Sequence, residues 1–184
     1  MRRRASTAVL FLLGLLLAGC GQEAAAGTNE RPPAATAGRA CQLIEYDVVA
    51  AAVGTQFDTA GGAQSGETYT CVLGLAGKSY PDLTFAMSPT TVSTLIFSVT
   101  VPPAGATAVD QLGVSAYQVT LPPVTAADGT ASGQGLEVCW LSSRNMMLVM
   151  RYTFPASATQ AEFEKIAAGL VVLAKQVDGK LTTI

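Results

Sequence analysis

The chain of 184 residues contains no histidine. That excludes Ser-His-Asp and Cys-His catalysis and the histidine-containing zinc sites. It also lacks C-x-x-C, G-x-S-x-G, S-x-x-K, G-x-x-x-x-G-K and an EF-hand loop. The acidic residues are scattered, and no close pair stands out for general acid and base work. No apolar run approaches the roughly 20 residues needed to span a bilayer. There is no basic excess either. These absences leave no catalytic residues, no metal ligands and no cofactor to expect, and the chain reads as a non-enzyme.

What is present begins with an address. Arg2, Arg3 and Arg4 precede an apolar run from Ala8 to Leu17, then Leu17-Ala18-Gly19-Cys20. A basic flank, a short apolar stretch and small residues before a cleavage point make a signal peptide. A leucine three residues before a cysteine makes it a lipoprotein signal. Cys20 is then expected to carry lipid through a thioether and to become the mature N-terminus. One acyl chain anchors only marginally, at about 0.8 kcal/mol per buried methylene, whereas a diacylglyceryl group supplies two. The expected location is the outer face of the cell membrane.

Residues 1–19 are thus expected to be the signal. Residues 20–40, rich in Ala, Gly, Thr and Pro, are expected to form a flexible tether with a reach of about 25 Å. Residues 41–184 form a single globular domain. From Cys20 onward, dropping the three signal arginines leaves eight basic against 13 acidic residues, a formal balance of −5. That argues against nucleic acid as a partner and against anchoring by charge. The partners to expect are the membrane, through the lipid on Cys20, and an apolar small molecule or envelope protein.

Cys41, Cys71 and Cys139 remain for an oxidising compartment. Pairing Cys41 with Cys71 closes a loop of about 30 residues, for which chain entropy gives roughly 3.5–4 kcal/mol. Cys139 is then a buried free thiol. Pairing Cys71 with Cys139 is the alternative.

The pattern predicts a helix from Cys41 to Val53 ended by Gly54, and a Gly-rich loop from Phe57 to Gly66. A hairpin follows, Glu67 to Leu75 with Asp82 to Met87, turning at Lys78 to Pro81. Ser88 to Val101 reads as a short helix starting at Ser88-Pro89 and running into an extended segment. Ser115 to Leu121 is a strand, and Thr125 to Gly135 a polar loop. The clearest hairpin joins Leu136–Leu141 to Met146–Phe154 through Ser142-Ser143-Arg144-Asn145. Symmetric pairing about that turn sets Leu141 opposite Met146 and Cys139 opposite Leu148. One face would then carry Trp140, Val138, Met147 and Val149. The other would carry Cys139, Leu141, Met146, Leu148, Met150 and Tyr152. Both are apolar, so something must cover each. If the Trp140 face is open, it is the candidate binding surface for an apolar ligand or partner. Ser157 to Gly179 holds the last helix, with Ser157 and Gln160 as its capping box and Phe163, Ile166, Ala167, Leu170, Ala174 and Val177 as its apolar stripe.

Several of these features stand together. They are the lipobox at Cys20, Cys41-Gln42-Leu43-Ile44 opening a helix that ends in Val53-Gly54, and Tyr69-Thr70-Cys71-Val72. Gln111-Leu112-Gly113-Val114-Ser115-Ala116-Tyr117, Arg144-Asn145 in a late hairpin and a closing amphipathic helix complete the set. In this layout the chain resembles the actinobacterial envelope lipoproteins of the domain-of-unknown-function (DUF) 3558-like type. That type is similar in turn to the extracellular sensor domains of mycobacterial serine/threonine kinases. The resemblance implies an α+β domain in which an antiparallel sheet of about 4–5 strands carries two or three helices, and it supports a Cys41–Cys71 bond. It transfers no catalytic residue. The function expected is a membrane-anchored, non-catalytic ligand-binding or protein-interaction module. The alternatives are an accessory structural subunit of an envelope complex, or a histidine-free hydrolase in which a Ser or Thr works with Lys165 or Arg151.

Overall fold

The computed structural model describes residues 31–183, with side chains up to 181. Cys20 and the signal lie outside the described residues. The fold is α+β. Seven strands form one antiparallel sheet: β1 (Thr59–Ser65), β2 (Thr68–Leu75), β3 (Lys78–Pro89), β4 (Thr107–Ala108), β5 (Ser115–Leu121), β6 (Ser132–Leu141) and β7 (Met146–Pro155). Their order across the sheet is β1-β2-β3-β7-β6-β5-β4. The helices are α1 (Tyr46–Val53), α2 (Thr94–Thr100) and α3 (Gln160–Thr183), with 3₁₀ turns at Ala34–Ala37 and Ala40–Leu43.

The sheet has more strands than the expected 4–5, chiefly because a segment read as a loop is β1. Thr59–Ser65 has almost no buried side chain. It pairs with β2 chiefly through its backbone, from Thr59 opposite Gly74 to Ser65 opposite Thr68, with one side-chain bond from Gln64 to the Tyr69 hydroxyl. Hydrophobic alternation therefore carries no trace of it. A glycine is needed within it, since a Cβ on Gly62 would sit 1.9 Å from the Ala37 carbonyl oxygen. The first 3₁₀ turn, with Ala34 buried, lies against that strand. Residues 31–40, assigned to the tether from sequence, thus pack onto the domain. The guanidinium of Arg31 lies 3.9 Å from the Tyr46 ring centroid and donates to the Phe57 carbonyl.

The first helix is shorter than expected. The chain makes a 3₁₀ turn at Ala40–Leu43, breaks at Ile44-Glu45 and restarts as α1. Glu45 causes the break. Its backbone is extended, and its carboxylate accepts from the backbone N–H of Ala34 and Ala35 at 3.1 and 3.0 Å. Gly54, in the left-handed region at φ 77°, closes α1 as its sequence position suggests. Cys41 and Cys71 form a disulfide between the second 3₁₀ turn and β2, while Cys139 is free and buried.

Ser88-Pro89 closes β3 instead of opening a helix. The helix expected in this region begins later, at Thr94, where the Ser93 hydroxyl accepts from the Ile96 N–H at 3.4 Å. α3 likewise starts after the expected cap. Thr159, not Ser157, makes the box: its N–H and hydroxyl donate to the Glu162 carboxylate at 2.8 and 2.9 Å, and the Glu162 N–H donates back at 3.3 Å. Of the expected stripe, Ile166, Leu170, Ala174 and Val177 are buried and Leu173 joins them.

The two faces of the sheet carry separate cores. On one, α1 and α3 cover Cys71, Leu73, Leu83, Phe85, Leu136, Val138, Trp140, Leu148, Met150 and Tyr152. On the other, α2 sets Phe97 against Tyr117, Val119, Cys139 and Leu141.

Candidate functional site

The face proposed from sequence does not exist as one surface. Trp140 and Val138 are fully buried beneath the helices, with the indole Nε1 donating to Asp178 of α3 at 3.0 Å. Met147 and Val149 lie on the opposite side of the sheet, half-buried against the α2 core. The cause is a slip of one residue. β6 and β7 pair Leu141 with Met147, Trp140 with Leu148 and Cys139 with Val149. The turn uses three residues rather than four: the Ser142 N–H bonds to the Met146 carbonyl, and Asn145 takes φ 56°. A type I turn followed by a left-handed residue is the usual three-residue hairpin. A slip of one exchanges every side chain between faces. Asn145 was the available signal, since asparagine tolerates the left-handed region.

The open apolar concavity lies at the end of the sheet. Met87 near the end of β3 and Met146 at the start of β7 project to the α3 side of adjacent strands, because Met87 faces Leu148 and Pro89 faces Met146. Leu43 of the second 3₁₀ turn and Leu181 in the last turn of α3 close the floor. Arg39, Gln42, Arg144 and Lys180 complete the lining of a cleft of about 610 Å³. That is within the 300–1,000 Å³ typical of small-molecule sites. Among the described residues its lining includes three cations and no acid. The Lys180 ammonium donates to the Leu43 carbonyl at 3.1 Å and sits where the helix dipole favours a positive charge. The Arg39 guanidinium lies 5.4 Å from the Tyr69 ring centroid and donates to its hydroxyl at 3.3 Å. Sequence reasoning did not assemble this cleft, because its residues run from position 39 to 181 with no local pattern.

The hydrolase alternative has a place to be examined, a smaller cavity of about 230 Å³ lined by Thr55, Tyr152, Glu162 and Lys165 among others. The Thr55 hydroxyl is paired with the Tyr152 hydroxyl at 2.8 Å, and burial pushes that phenol above its ordinary pKa. Glu162 is engaged by the cap, whose backbone hydrogen bond from Thr159 holds its carboxyl below the usual range. Among the described residues, no hydrogen bond joins a serine or threonine hydroxyl to Lys165. Arg151 forks onto Glu137, Nη2 at 2.6 Å and Nε at 3.3 Å, with Tyr117 donating to the same carboxylate. A guanidinium so paired is a poor general base. Cys139 is no nucleophile at neutral pH, as burial pushes its thiol up to about 11. Among the described residues there is no cluster of three metal-ligating side chains, and no helix long and apolar enough to cross a membrane.

Among the described residues the geometry defines an α+β domain with a cleft lined by methionine, leucine and basic side chains. No protein-family model matches the chain, and no curated protein matches it. Among solved structures, a crystal structure of a protein from Bacteroides thetaiotaomicron is similar at 13% identity and a TM-score of 0.34. The match covers 59% of this chain and 40% of that one, and likeness so slight carries no argument.

Proposed function

We propose that this chain is a lipid-anchored, non-catalytic binding module at the outer face of the cell membrane, and that its ligand site is the cleft floored by Leu43, Met87, Met146 and Leu181. The proposal keeps the reading of Cys20 as the lipidated residue and of the chain as similar to the actinobacterial envelope lipoproteins. The observation that carries it is the cleft, where two partly buried methionines face an open space. Methionine is flexible and polarizable, which suits an adaptable apolar site. Titration with the neutral dye N-phenylnaphthylamine tests it. Saturable fluorescence enhancement is expected with the wild type, and its loss in Met146→Glu. An enhancement unchanged by that substitution refutes the site. Membrane fractionation tests the anchor, and Cys20→Ala is expected to release the protein.

A second reading, docking to another envelope protein, rests on α2. Leu95, Ile96 and Val99 are 73%, 53% and 74% exposed. They lie in a stretch from Leu83 to Val109 without a single charged residue. A photo-crosslinker placed at Leu95 should capture a partner in cells if this face is used, and none if α2 only covers the sheet.

A further inference from the structure

α2 is apolar on both of its sides. Phe97 packs into the sheet-side core. Leu95 and Val99, one turn apart, lie on the opposite side, and Ile96 stands exposed beside them. A helix that only covers a sheet keeps its outward face polar, whereas one that is apolar all round is normally buried. The other exposed residues of α2 are Thr94, Ser98 and Thr100, so the helix carries hydroxyls and no charge. The nearest charges along the chain are Asp82 and Asp110. On the same side of the sheet, Glu137 and Arg151 neutralise each other at 2.6 Å.

We propose, resting on the reading of Cys20 as the lipid anchor, that α2 is a second membrane contact. Leu95, Ile96 and Val99 sink into the outer surface of the bilayer and turn the α2 side of the sheet towards it. Composition and size favour lipid over a protein partner. The patch offers none of the Trp, Tyr and Arg that anchor protein interfaces, and its Leu, Val, Ser and Thr are types under-represented among such anchors. Three aliphatic side chains on a seven-residue helix also fall short of the roughly 1,200 Å² that a stable protein interface buries. Arg31 lies 11 residues after Cys20, a span of at most about 40 Å. A tether that short makes the second contact intramolecular, so a patch too small to hold a membrane alone suffices. The lipid sets the distance and α2 sets the orientation. Met87 and Met146 project to the α3 side, so this orientation turns the cleft away from the membrane.

The test uses the full chain, isolated from membranes and reconstituted in phosphatidylcholine vesicles with and without bromine on the acyl chains. Leu95→Trp places a fluorescent reporter at an exposed position, and Trp140, fully buried in the other core, gives a constant background. Emission from the added indole is expected to fall at least about twofold in brominated vesicles, because a helix lying in the interface buries its apolar face about 5–10 Å deep. Glu164→Trp, at an exposed position on α3, is expected to keep its emission. Val99→Trp should be quenched like Leu95→Trp, and adding Leu95→Glu should abolish that quenching while the urea midpoint stays unchanged. Replacing phosphatidylcholine by phosphatidylglycerol should not strengthen the quenching, since the patch carries no cation. Lipidated chain on the vesicles with no quenching at position 95, or with equal quenching at 95 and 164, overturns the proposal and leaves the anchor standing. Quenching that appears only with phosphatidylglycerol overturns insertion by an uncharged face. Chain recovered without lipid on Cys20 overturns the anchor reading and the proposal with it. A photo-crosslinker at Leu95 that captures a protein in cells, and no lipid, assigns α2 to a protein partner and overturns the membrane contact.

Discussion

The two faces of the sheet are held by different means. On the α1/α3 side, a 24-residue helix, a disulfide and a tryptophan hydrogen bond act together. α3 also crosses α1 so closely that a Cβ on Gly169 would lie 2.1 Å from the Ala52 carbonyl oxygen. On the other side, one seven-residue helix inserts one fully buried side chain, Phe97, its ring tilted against Tyr117 with centroids 6.0 Å apart. Isolated helices that short are not stable in water. The first face is a core that fixes the fold. The second is a cover whose attachment depends on little more than one ring, and local opening is drawn from such weakly packed elements.

The largest effect expected is from Gly169→Val. The clash is with backbone, which cannot swing aside, so α1 and α3 must separate. A loss of about 3 kcal/mol or more is expected, at the upper end of overpacking costs, read as a lowered urea midpoint. Ser98→Val also introduces a valine, but on the exposed side of α2, and is expected to change stability by less than about 0.5 kcal/mol. Equal costs for the two would erase the contrast.

Phe97→Ala comes next. A core Phe→Ala change typically costs about 3–5 kcal/mol, but here the global cost should fall below that range because α2 can leave without the sheet. The local effect should be large. Cys139 lies under α2 in the same cluster as Phe97, so its alkylation at pH 8 should accelerate markedly. Trp140 emission, reporting the opposite face, should stay as in the wild type. A shifted Trp140 signal would mean that the faces open together.

Alkaline pH probes the same face without mutation. The Cys139 thiol is pushed up to about 11 by burial, with the Glu137 carboxylate adding to the shift. The unfolded thiol loses its proton near pH 8.5–9, while the native thiol keeps it. Stability is therefore intact below that point and falls as pH rises towards 11. At about 1.4 kcal/mol per pH unit, a shift of this size amounts to about 3 kcal/mol. Tyr117, raised by burial beside it, extends the loss to higher pH. Urea midpoints from pH 8 to 11 should show the decline for the wild type, and a shallower one for Cys139→Ala.

Sequence patterning recovered the elements whose side chains do the packing. β2, β5, the β6–β7 hairpin and the α3 stripe all bury alternating or helically spaced apolar residues, and each was readable. It missed what backbone geometry decides. β1 is a glycine-rich edge held by main-chain bonds. The hairpin register turned on the conformation of Asn145, and that one residue moved Trp140 from a candidate surface into the core. The cleft was illegible for another reason: sheet order places the end of β3 beside the start of β7, bringing together residues with no proximity in sequence.

The smallest effect compares the two helix starts. Thr159→Ala removes the cap of α3, and the loss of such a cap typically costs about 1 kcal/mol. It is a modest fraction of a helix that is packed along most of its length. The effect should depend on pH. Glu162 is held below its usual range by its bonds from Thr159, so its contribution is present above the unfolded carboxyl pKa and disappears as pH falls through the lowered value. The gap between wild type and Thr159→Ala should therefore narrow at acid pH, leaving the part owed to the pH-independent bond from the Glu162 N–H to the Thr159 hydroxyl. Ser93→Ala makes the matching change at α2, where the capping bond is long at 3.4 Å and Phe97 is the buried residue of the helix. Its global cost should be smaller than that of Thr159→Ala, yet Cys139 labelling should respond to it and not to Thr159→Ala. A labelling rate that instead followed the α3 cap would place control of both faces in the long helix and remove the distinction between core and cover.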